Sequence, residues 1–581
     1  MTRHISQLGL ALLICVSTKA QSTFNTVIDP SVTYQTINDF GASDCWTADY
    51  IGKYFSDATK EQSAKWLFSQ NLDSNGDPEG IGLSVWRVNL GAGSAEQGSN
   101  SGIDDATRRG YCYLGSDGTY NWTKSAGQQY FMQKAKSYGV DHFLLFSNSA
   151  PVQFTKNGKA YANSGIAGSN LKDDCYDDFA EFLATTTKHF IDEGYSIKYI
   201  DPVNEPQYDW TSGQEGSPWE NSNIADLARQ LDKSLKSRSL STKILLPEAG
   251  AWNSLTGGTG RASNQIEAFF NSSNTSTYIG DLESLQPAVA GHSYWTFTTN
   301  AALKDNRTAV AQSAAKYNLQ TLQTEWSMLD AAPSTETGFP ASYDDATYMD
   351  IALFMGKLIY CDMVYANVSS WSYWTAFAQE KWGQKNRFYL LRINSASDTG
   401  NESYADINDC STITDNSNLW VLGNYSFFIR PGYKRISLSG ADDINSVMGT
   451  AYLSPDGTRI VAVYVNMNST AKGVKMYLGS FNSNVSSIKK YITDETYNLK
   501  QDKTLSNTFS ADTRIVLPKR SVVTIVLDLS TSGIEEVSND NKIQKNNIYT
   551  IDGRLVKTDD ISLDGLAKGI YIANGKKILV Q

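Results

Sequence analysis

The sequence has few histidines and cysteines for its length, and neither type forms a metal or catalytic motif. Its 581 residues include four His and six Cys. The cysteines form no C-x-x-C pair and have no histidine at metal-ligand spacing, so the sequence gives no support for a zinc site. The histidines, at positions 4, 142, 189 and 292, are too scattered for a Ser–His–Asp triad.

Basic runs and long apolar runs are also scarce. The 50 Lys and Arg residues face 61 Asp and Glu, which gives a formal charge of −11 and a pI near 5.1. With no basic run to neutralise several phosphates, nucleic acid is excluded as an expected partner. After the first twenty residues no apolar segment reaches the roughly 18 residues that a transmembrane helix needs, so we expect no transmembrane segment.

The first twenty residues are typical of an export signal. Arg3 and His4 precede the apolar run Leu8–Val16, and the small residue Ala20 comes before Gln21. The sequence therefore predicts a signal peptide at 1–20 and a secreted or cell-surface protein.

Removal of this segment would leave five cysteines. Lipidation at Cys15 is an alternative that the bulky Ile14 before it disfavours. Five is an odd number, so one disulfide is compatible with an oxidising compartment while at least one thiol stays unpaired. The five are Cys45, Cys112, Cys175, Cys361 and Cys410.

Aromatic residues are plentiful, with 32 Tyr and 13 Trp. These side chains stack on flat apolar ligand faces and offer a polar edge, which suits sugar binding, although a large β-sheet also uses them.

From about residue 37 the chain alternates short apolar runs with longer amphipathic stretches. Eight strands with intervening helices predict an α/β fold, a (β/α)₈ TIM barrel spanning 37–415. A doubly wound open sheet is the alternative, but no G-x-G-x-x-G follows the first strand. The predicted strands are Ile37–Gly41, Leu83–Asn89, His142–Ser147, Ile197–Val203, Lys243–Pro247, Ala288–Ser293, Leu319–Thr324 and Val368–Trp374.

The pattern changes after residue 415. Alternating or continuous apolar runs at Arg459–Asn466, Val474–Leu478 and Ser521–Leu527 predict a side β-sandwich over 416–530, joined by the N-terminal segment 21–36. The polar stretch 531–547 is predicted to be a linker, followed by a small all-β tail domain at 548–581.

Two glutamates follow predicted strands four and seven. Glu205 lies in the stretch Asn204-Glu205-Pro206, and Glu325 follows Thr324. Catalytic groups of barrels lie at the carboxyl ends of strands, so we expect these carboxyl groups to face each other across the barrel mouth. Hydrolysis of a glycoside needs such a pair, one protonated and one ionised. Glu248 at the end of strand five is the main competitor for a catalytic role.

Several longer stretches of the sequence form recognisable motifs: Asp39–Trp46, Val85–Gly91, Leu145–Pro151, Pro202–Gln207, Gln214–Trp219 and His292–Trp295. Together with the two glutamates they resemble glycoside hydrolase family 30, closest to its endo-β-1,6-galactanase branch, over roughly residues 25 to 530. The resemblance implies a barrel with a side β-sandwich, retention of configuration, Glu205 as acid/base and Glu325 as nucleophile, with Arg87 near the nucleophile and Tyr294 hydrogen-bonded to it. It implies neither a metal ion nor an organic cofactor.

A further set of residues is expected to bind substrate. The set comprises Asn204, Arg87, Tyr294, Trp374, Asn148, Trp46, Trp219 and Asp44. Arg87 inside an apolar strand must meet a carboxylate, because an unpaired buried charge is costly. His292 is expected to be satisfied within the barrel wall and to carry no chemistry.

A polysaccharide is thus the expected partner, with β-1,6-galactan first and glucuronoxylan or β-1,6-glucan as alternatives. Ala150 and Val152–Phe154 depart from the Pro and Trp typical of the family there, which affects substrate choice more than reaction type. The tail resembles the C-terminal sorting domains of the type IX secretion pathway, which implies contact with secretion machinery. A carbohydrate-binding protein without activity, or a structural surface protein, are the alternatives of another class.

Overall fold

Eight parallel strands form the centre of the larger of two compact units, which ends at Leu529. The structure is a computed structural model that describes residues 22–140, 142–394, 412–479, 484–530, 548–550, 555–557, 562–573 and 576–580. The predicted signal peptide, the predicted linker and Cys410 lie outside the described residues. The strands, β1 to β8, are Asp39–Ser43, Val85–Asn89, His142–Phe146, Ile197–Asp201, Lys243–Ile244, Ala288–His292, Gln320–Glu325 and Val368–Tyr373.

The strands are ordered so that each has its sequence neighbour beside it. The sheet runs β5-β4-β3-β2-β1-β8-β7-β6, and parallel bridges between Ile244 and Leu285 and between Ala249 and Gly291 join its two ends. The predicted (β/α)₈ barrel is therefore confirmed, and the open-sheet alternative is wrong. Each strand is buried on both faces, as the near-continuous apolar runs require.

Helices cover the outside of the barrel and alternate with its strands. Helix Asn221–Ser237 shows why they form: apolar side chains spaced three or four residues apart make one buried stripe, and Glu220 and Asn223 close a capping box at its start. The α-helices before residue 394 are Ala48–Tyr54, Asp57–Phe68, Ser94–Gln97, Ala126–Ser137, Tyr176–Asp192, Asn221–Ser237, Trp252–Thr256, Gln265–Phe270, Asn300–Lys316 and Tyr348–Tyr365. Short 3₁₀ turns occur at Gly98–Ser101, Ala106–Arg108, Val152–Phe154, Thr335–Thr337 and Glu380–Trp382.

A nine-stranded sheet packs beside the barrel. Its strands, in spatial order, are Lys500–Gln501, Val485–Thr493, Ser521–Leu529, Arg459–Asn466, Val447–Leu453, Lys434–Ser439, Thr23–Thr36, Lys472–Tyr477 and Arg514–Leu517. Strands far apart in this order share one core, so the sheet folds over on itself as a sandwich. Strand Thr23–Thr36 runs antiparallel to Lys434–Ser439 and parallel to Lys472–Tyr477.

Strand Arg459–Asn466 shows how the sandwich joins the barrel. Alternate side chains point to opposite faces of a strand. Val461, Val463 and Val465 belong to the core that the barrel helices share, whereas Ile460 and Ala462 face the inner core of the sandwich. The two layers thus form one packed body.

Helix Tyr348–Tyr365 lies in the layer shared with the sandwich and is buried nearly all round. Thr347 caps its first turn, and a β-carbon at Gly356 would come within 3.3 Å of Val522. Helix Ser417–Ser426 packs alongside, where Thr524 donates a hydrogen bond to the carbonyl oxygen of Asn424 (2.8 Å). A three-stranded sheet of Phe377–Ala378, Leu391–Asn394 and Thr412–Asp415 completes this unit.

The second compact unit starts at Ser530 and contains a small four-stranded antiparallel sheet. Its spatial order is Leu555–Lys557, Ile548–Thr550, Gly569–Ala573 and Lys576–Val580. Ile548, Tyr571 and Ala573 form its small core.

Two further expectations concern the chain as a whole. Within the described ranges, no helix is both apolar enough and long enough to span a bilayer. Four of the cysteines, all buried, are free thiols: Cys45, Cys112, Cys175 and Cys361.

Candidate active site

The two predicted glutamates meet at the carboxyl ends of the barrel strands. Glu205 follows β4, and Glu325 is the last residue of β7. A carboxylate oxygen of each and a ring nitrogen of His292 all lie within 4.8 Å of one another. Residues 120 positions apart in the chain therefore face each other over a distance that a single glycosidic bond can bridge.

Arg87 projects from β2 behind this pair and is fully buried. Its Nη1 donates to Oε2 of Glu325 (2.6 Å), and its Nη2 donates to Glu248 Oε2 (2.9 Å) and to Asn204 Oδ1 (3.0 Å). The guanidinium also lies 3.6 Å from the ring centre of Phe146. Arg87 therefore fixes three strand ends at once and meets the carboxylates that a buried arginine requires.

His292, the last residue of β6, links the carboxyl groups of Glu205 and Glu248. Its Nδ1 lies 2.9 Å from Glu205 Oε1, and its Nε2 lies 3.1 Å from Glu248 Oε2. Burial alone would lower its pKa, but the surrounding carboxylates Glu325, Glu205 and Glu248 outweigh burial and raise the pKa to about 10. The imidazole is therefore charged at neutral pH, with both nitrogens donating.

The backbone at Glu205 is held in an uncommon conformation. Its φ is +43°, in the left-handed region that non-glycine residues seldom adopt. Two contacts hold it there: its own N–H donates to the carbonyl oxygen of Glu248 (2.9 Å), and Nε1 of Trp210 donates to its carbonyl oxygen (3.1 Å). Such strain is typical of functional sites, where surrounding structure fixes one side-chain direction.

The charges of the site nearly balance. Glu205, Glu248 and Glu325 face the two cations Arg87 and His292. Burial raises the pKa of Glu325, and the charge of Glu205 raises it further against the opposing effects of His292 and Arg87. For Glu248, Arg87 and His292 together outweigh burial and lower the pKa. Three carboxylates and two cations leave one net negative charge, so one proton on the Glu205–Glu325 pair would make the group neutral.

A cavity of about 680 Å³ opens above the two glutamates. Asn204, Glu205 and Glu325 line it, and Tyr294 donates from behind to Oε1 of Glu325 (3.1 Å). Its size is that of a small-molecule site, and its walls combine aromatic rings with polar groups. The aromatic lining residues are Tyr208, Trp210, Trp295, Trp374 and Phe388.

Comparison with known proteins agrees with this geometry. The profile of O-glycosyl hydrolase family 30 matches residues 23–384, more than half of the chain. The chain belongs to O-glycosyl hydrolase family 30.

Known relatives differ in sequence identity to this chain and in how much of it they cover. An endo-β-1,6-galactanase of Hypocrea rufa is 29% identical over 257 residues, covering 41% of this chain and 51% of the relative, so the match spans about half of that protein. A conserved exported protein from Bacteroides fragilis has a crystal structure with a TM-score of 0.78 at 30% identity, covering 86% of this chain and 99% of the other. The catalytic domain of family 30 xylanase C from Talaromyces cellulolyticus has a TM-score of 0.61 at 23% identity. The match covers 87% of this chain and 99% of the other, and it shows the shared fold.

The other predicted substrate-binding residues of this family 30 chain fall into two groups. Trp374 follows β8, lines the cavity and packs edge-on against Trp46, with ring centres 6.2 Å apart. Asp44 and Asn148 are buried away from the cavity lining: Asp44 accepts from Asn89 N–H and Gln128 Nε2, and Asn148 donates to Asn89 Oδ1. These two side chains brace the strand ends.

Trp219 requires a correction. It is 1% exposed and lies in the hydrophobic core of the barrel, with its backbone N–H donating to the carbonyl oxygen of Pro206 (3.1 Å). Its role is therefore to support the loop that carries Glu205, because a ring without exposed surface cannot stack on a sugar.

Four residues of the site were not among the predicted contacts. His292 and Glu248 join the catalytic pair from β6 and β5, while Tyr208 and Trp295 stand at the mouth of the cavity. A sequence signal existed for three of them: Glu248 follows predicted strand five, Trp295 directly follows Tyr294, and Tyr208 lies three residues after Glu205.

Glu205, His292 and Glu325 are also spaced as metal ligands could be. Their environment opposes this use, because both nitrogens of His292 are engaged by carboxylates and Arg87 places positive charge against Glu325. The arrangement suits proton exchange between neighbouring acids rather than binding of a cation.

Proposed function

We propose that this family 30 protein is a secreted, retaining endo-glycoside hydrolase that cleaves a β-linked polysaccharide, with β-1,6-galactan as its first substrate. The observation that supports the proposal is the approach of the Glu205 and Glu325 carboxylate oxygens to within 4.8 Å. Retaining enzymes place their two carboxyl groups about 5 to 5.5 Å apart, whereas inverting enzymes leave about 6.5 to 9.5 Å for a water molecule.

The hydrogen bonds favour different roles for the two glutamates. Glu325 receives a donor on each oxygen, Arg87 on Oε2 and Tyr294 on Oε1, which stabilises its ionised form as a nucleophile. Glu205 is bonded to His292 through Oε1 only. Its other oxygen can therefore carry the proton of the pair.

The reaction then has two steps. Glu325 attacks the anomeric carbon and forms a glycosyl ester while Glu205 gives its proton to the departing glycosidic oxygen, so the leaving sugar departs as an alcohol. In the second step Glu205 removes a proton from water, the water oxygen attacks the same carbon, and the ester bond to Glu325 breaks. Two inversions give net retention.

The choice of galactan rests on the resemblance of the motifs and on the Hypocrea rufa relative, which is named an endo-β-1,6-galactanase. Glucuronoxylan and β-1,6-glucan remain the alternatives. A product profile on all three polysaccharides separates them, because the lengths of the released chains report both the linkage and endo action.

Export through the segment 1–20 and a contact of the tail with secretion machinery belong to the same proposal. Their support is the charged and apolar pattern of the first residues, the sorting-domain resemblance of the tail, and a relative described as an exported protein.

The deciding experiment compares wild type with Glu325→Gln on the three polysaccharides. We expect the wild type to release oligosaccharides whose new reducing ends first appear as the β-anomer by NMR, and Glu325→Gln to release none. Glu495→Gln, the same substitution at an exposed position of the sandwich, should match the wild type. Binding of a polysaccharide without sugar release by the wild type would instead indicate the carbohydrate-binding alternative.

A further inference from the structure

Two large aromatic side chains are exposed at the mouth of the catalytic cavity. Tyr208 is 51% and Trp295 50% exposed, and both line the cavity that contains Glu205 and Glu325. Their rings are nearly parallel, 10° apart, with centres 5.9 Å from each other. We name this pair the Tyr208–Trp295 platform.

The backbone conformation of Trp295 indicates that its exposed position has a function. Its φ is +55°, which is costly for a bulky residue. The carboxylate of Asp330 accepts a hydrogen bond from its N–H (2.6 Å) and so holds the conformation. The strained backbone costs folding free energy, and a half-exposed tryptophan ring recovers little of it through packing. Such strained residues are typical of functional positions.

The platform is also fixed relative to the two glutamates. Trp295 packs against Tyr294, whose hydroxyl donates to Glu325, with ring centres 5.8 Å apart. Tyr208 packs against Trp210, whose ring N–H donates to the carbonyl oxygen of Glu205.

The order of the barrel strands places this platform on one side of the cleft. Tyr208 follows β4 and Trp295 follows β6, whereas the Trp46–Trp374 pair follows β1 and β8, on the opposite side of an eight-stranded ring. A glycan that crosses the mouth therefore meets the Tyr208–Trp295 platform on one side and Trp374 on the other. Glu205, the proposed acid, also follows β4, and an acid must lie beside the glycosidic oxygen that it protonates. The platform is therefore on the leaving-group side of the cleft.

We propose that the Tyr208–Trp295 platform binds the sugar on the leaving-group side of the scissile bond, by stacking against the apolar face of its ring. The proposal rests on the function proposed above. It adds that the chain requires a sugar beyond the scissile bond for efficient cleavage, and that the same platform receives an acceptor sugar during transfer.

The test uses two substrates that differ only beyond the scissile bond. β-1,6-Galactan places a sugar on the platform, whereas β-1,6-galactobiosyl fluoride leaves it empty, because fluoride is the leaving group. Trp295→Asn removes the ring with a residue that tolerates the left-handed conformation. Tyr208→Ala is the second variant, Tyr208→Phe keeps the ring, and Tyr497→Ala removes an exposed tyrosine of the sandwich as the matched control.

For Trp295→Asn and Tyr208→Ala we expect kcat/KM on galactan to fall about 10- to 100-fold, as for loss of a stacking contact, while kcat/KM on the fluoride stays within about 3-fold. Tyr497→Ala should keep both values, and Tyr208→Phe, which retains the ring, should lose less kcat/KM on galactan than Tyr208→Ala does. With the fluoride as donor and galactose as acceptor, the ratio of transfer to hydrolysis should also fall in the two ring-removing variants.

Three results would contradict the platform. These are an equal loss on both substrates, which indicates a structural role, no loss on galactan, and an unchanged transfer ratio. If the wild type prefers glucuronoxylan or β-1,6-glucan, the comparison uses that polysaccharide and its glycosyl fluoride. A wild type that cleaves none of the three would overturn the proposed function as well, so the two failures are distinguishable.

Discussion

Replacement of His292 by glutamine is expected to move the acidic limb of the pH–activity profile to higher pH. Glu325 must be ionised to attack, so activity falls as the pH drops below its pKa. Burial raises that pKa, and the charge of His292, 3.9 Å away, is the largest effect that opposes burial. Glutamine can still donate one hydrogen bond but carries no charge.

The size of the shift follows from the separation of the two groups. Two unit charges at the 3.9 Å between His292 and Glu325 interact by about 4 kcal/mol at an effective dielectric constant of about 20. At 1.36 kcal/mol per pKa unit this corresponds to about 3 units. Water in the open cavity screens part of the interaction, so we expect the pKa of Glu325 to rise by about 1 to 3 units.

The assay is kcat/KM between pH 4 and 9, because this ratio reports the ionisations of the free enzyme. A thermal melt of each protein shows which pH values leave it folded. An acidic limb that stays in place, or moves to lower pH, would refute the charged state of His292 and its electrostatic control of Glu325.

Three further predictions concern the same group of residues. Glu205→Gln should lower activity on polysaccharide about 10²- to 10⁴-fold. It should affect the formation of the glycosyl ester from a glycosyl fluoride far less, because fluoride needs no proton to leave. Burst kinetics on the fluoride would measure the rate of this first step. Arg87→Met should lower the free energy of unfolding by about 3 to 5 kcal/mol in urea titrations, since it removes the arginine that pairs with buried Glu248 and Glu325, and a change below 1 kcal/mol would contradict this. Because folding raises the pKa of His292 from 6.5 to about 10, its stabilising contribution is complete below about pH 6.5 and is lost as the pH rises to about 10. The free energy of unfolding should therefore fall by on the order of 4 to 5 kcal/mol more in wild type than in His292→Gln over that range, as followed by urea unfolding.

The barrel could be predicted because its strands are buried on both faces and so appear as short apolar runs. Seven strands agree with their predicted bounds within two residues. The fifth ends at Ile244, three residues earlier than expected, and one reason is that Pro247 has no N–H to donate to a neighbouring strand.

The positions of Glu205 and Glu325 were predictable for a related reason. A polar residue directly after a buried strand lies at the barrel mouth, irrespective of the conformation of the loops. Trp219, in contrast, lies in a loop, and no local pattern shows whether a loop tryptophan points into the cleft or into the core.

His292 was missed because its role depends on three strands at once. Its two partners, Glu205 and Glu248, come from β4 and β5, and only their arrangement around the imidazole makes it a charged bridge. The hydrophobic periodicity of a sequence describes one helix or strand at a time and does not show which side chains of different strands come together.

The N-terminal strand of the described residues has a consequence for synthesis. Thr23–Thr36 is made before the barrel, yet its neighbours in the sheet, Lys434–Ser439 and Lys472–Tyr477, leave the ribosome some 400 residues later. Until then this strand exposes unpaired backbone edges, a state prone to aggregation. Fragments that stop after the barrel should therefore be poorly soluble, and the enzyme matures only once nearly the whole of the larger unit has emerged.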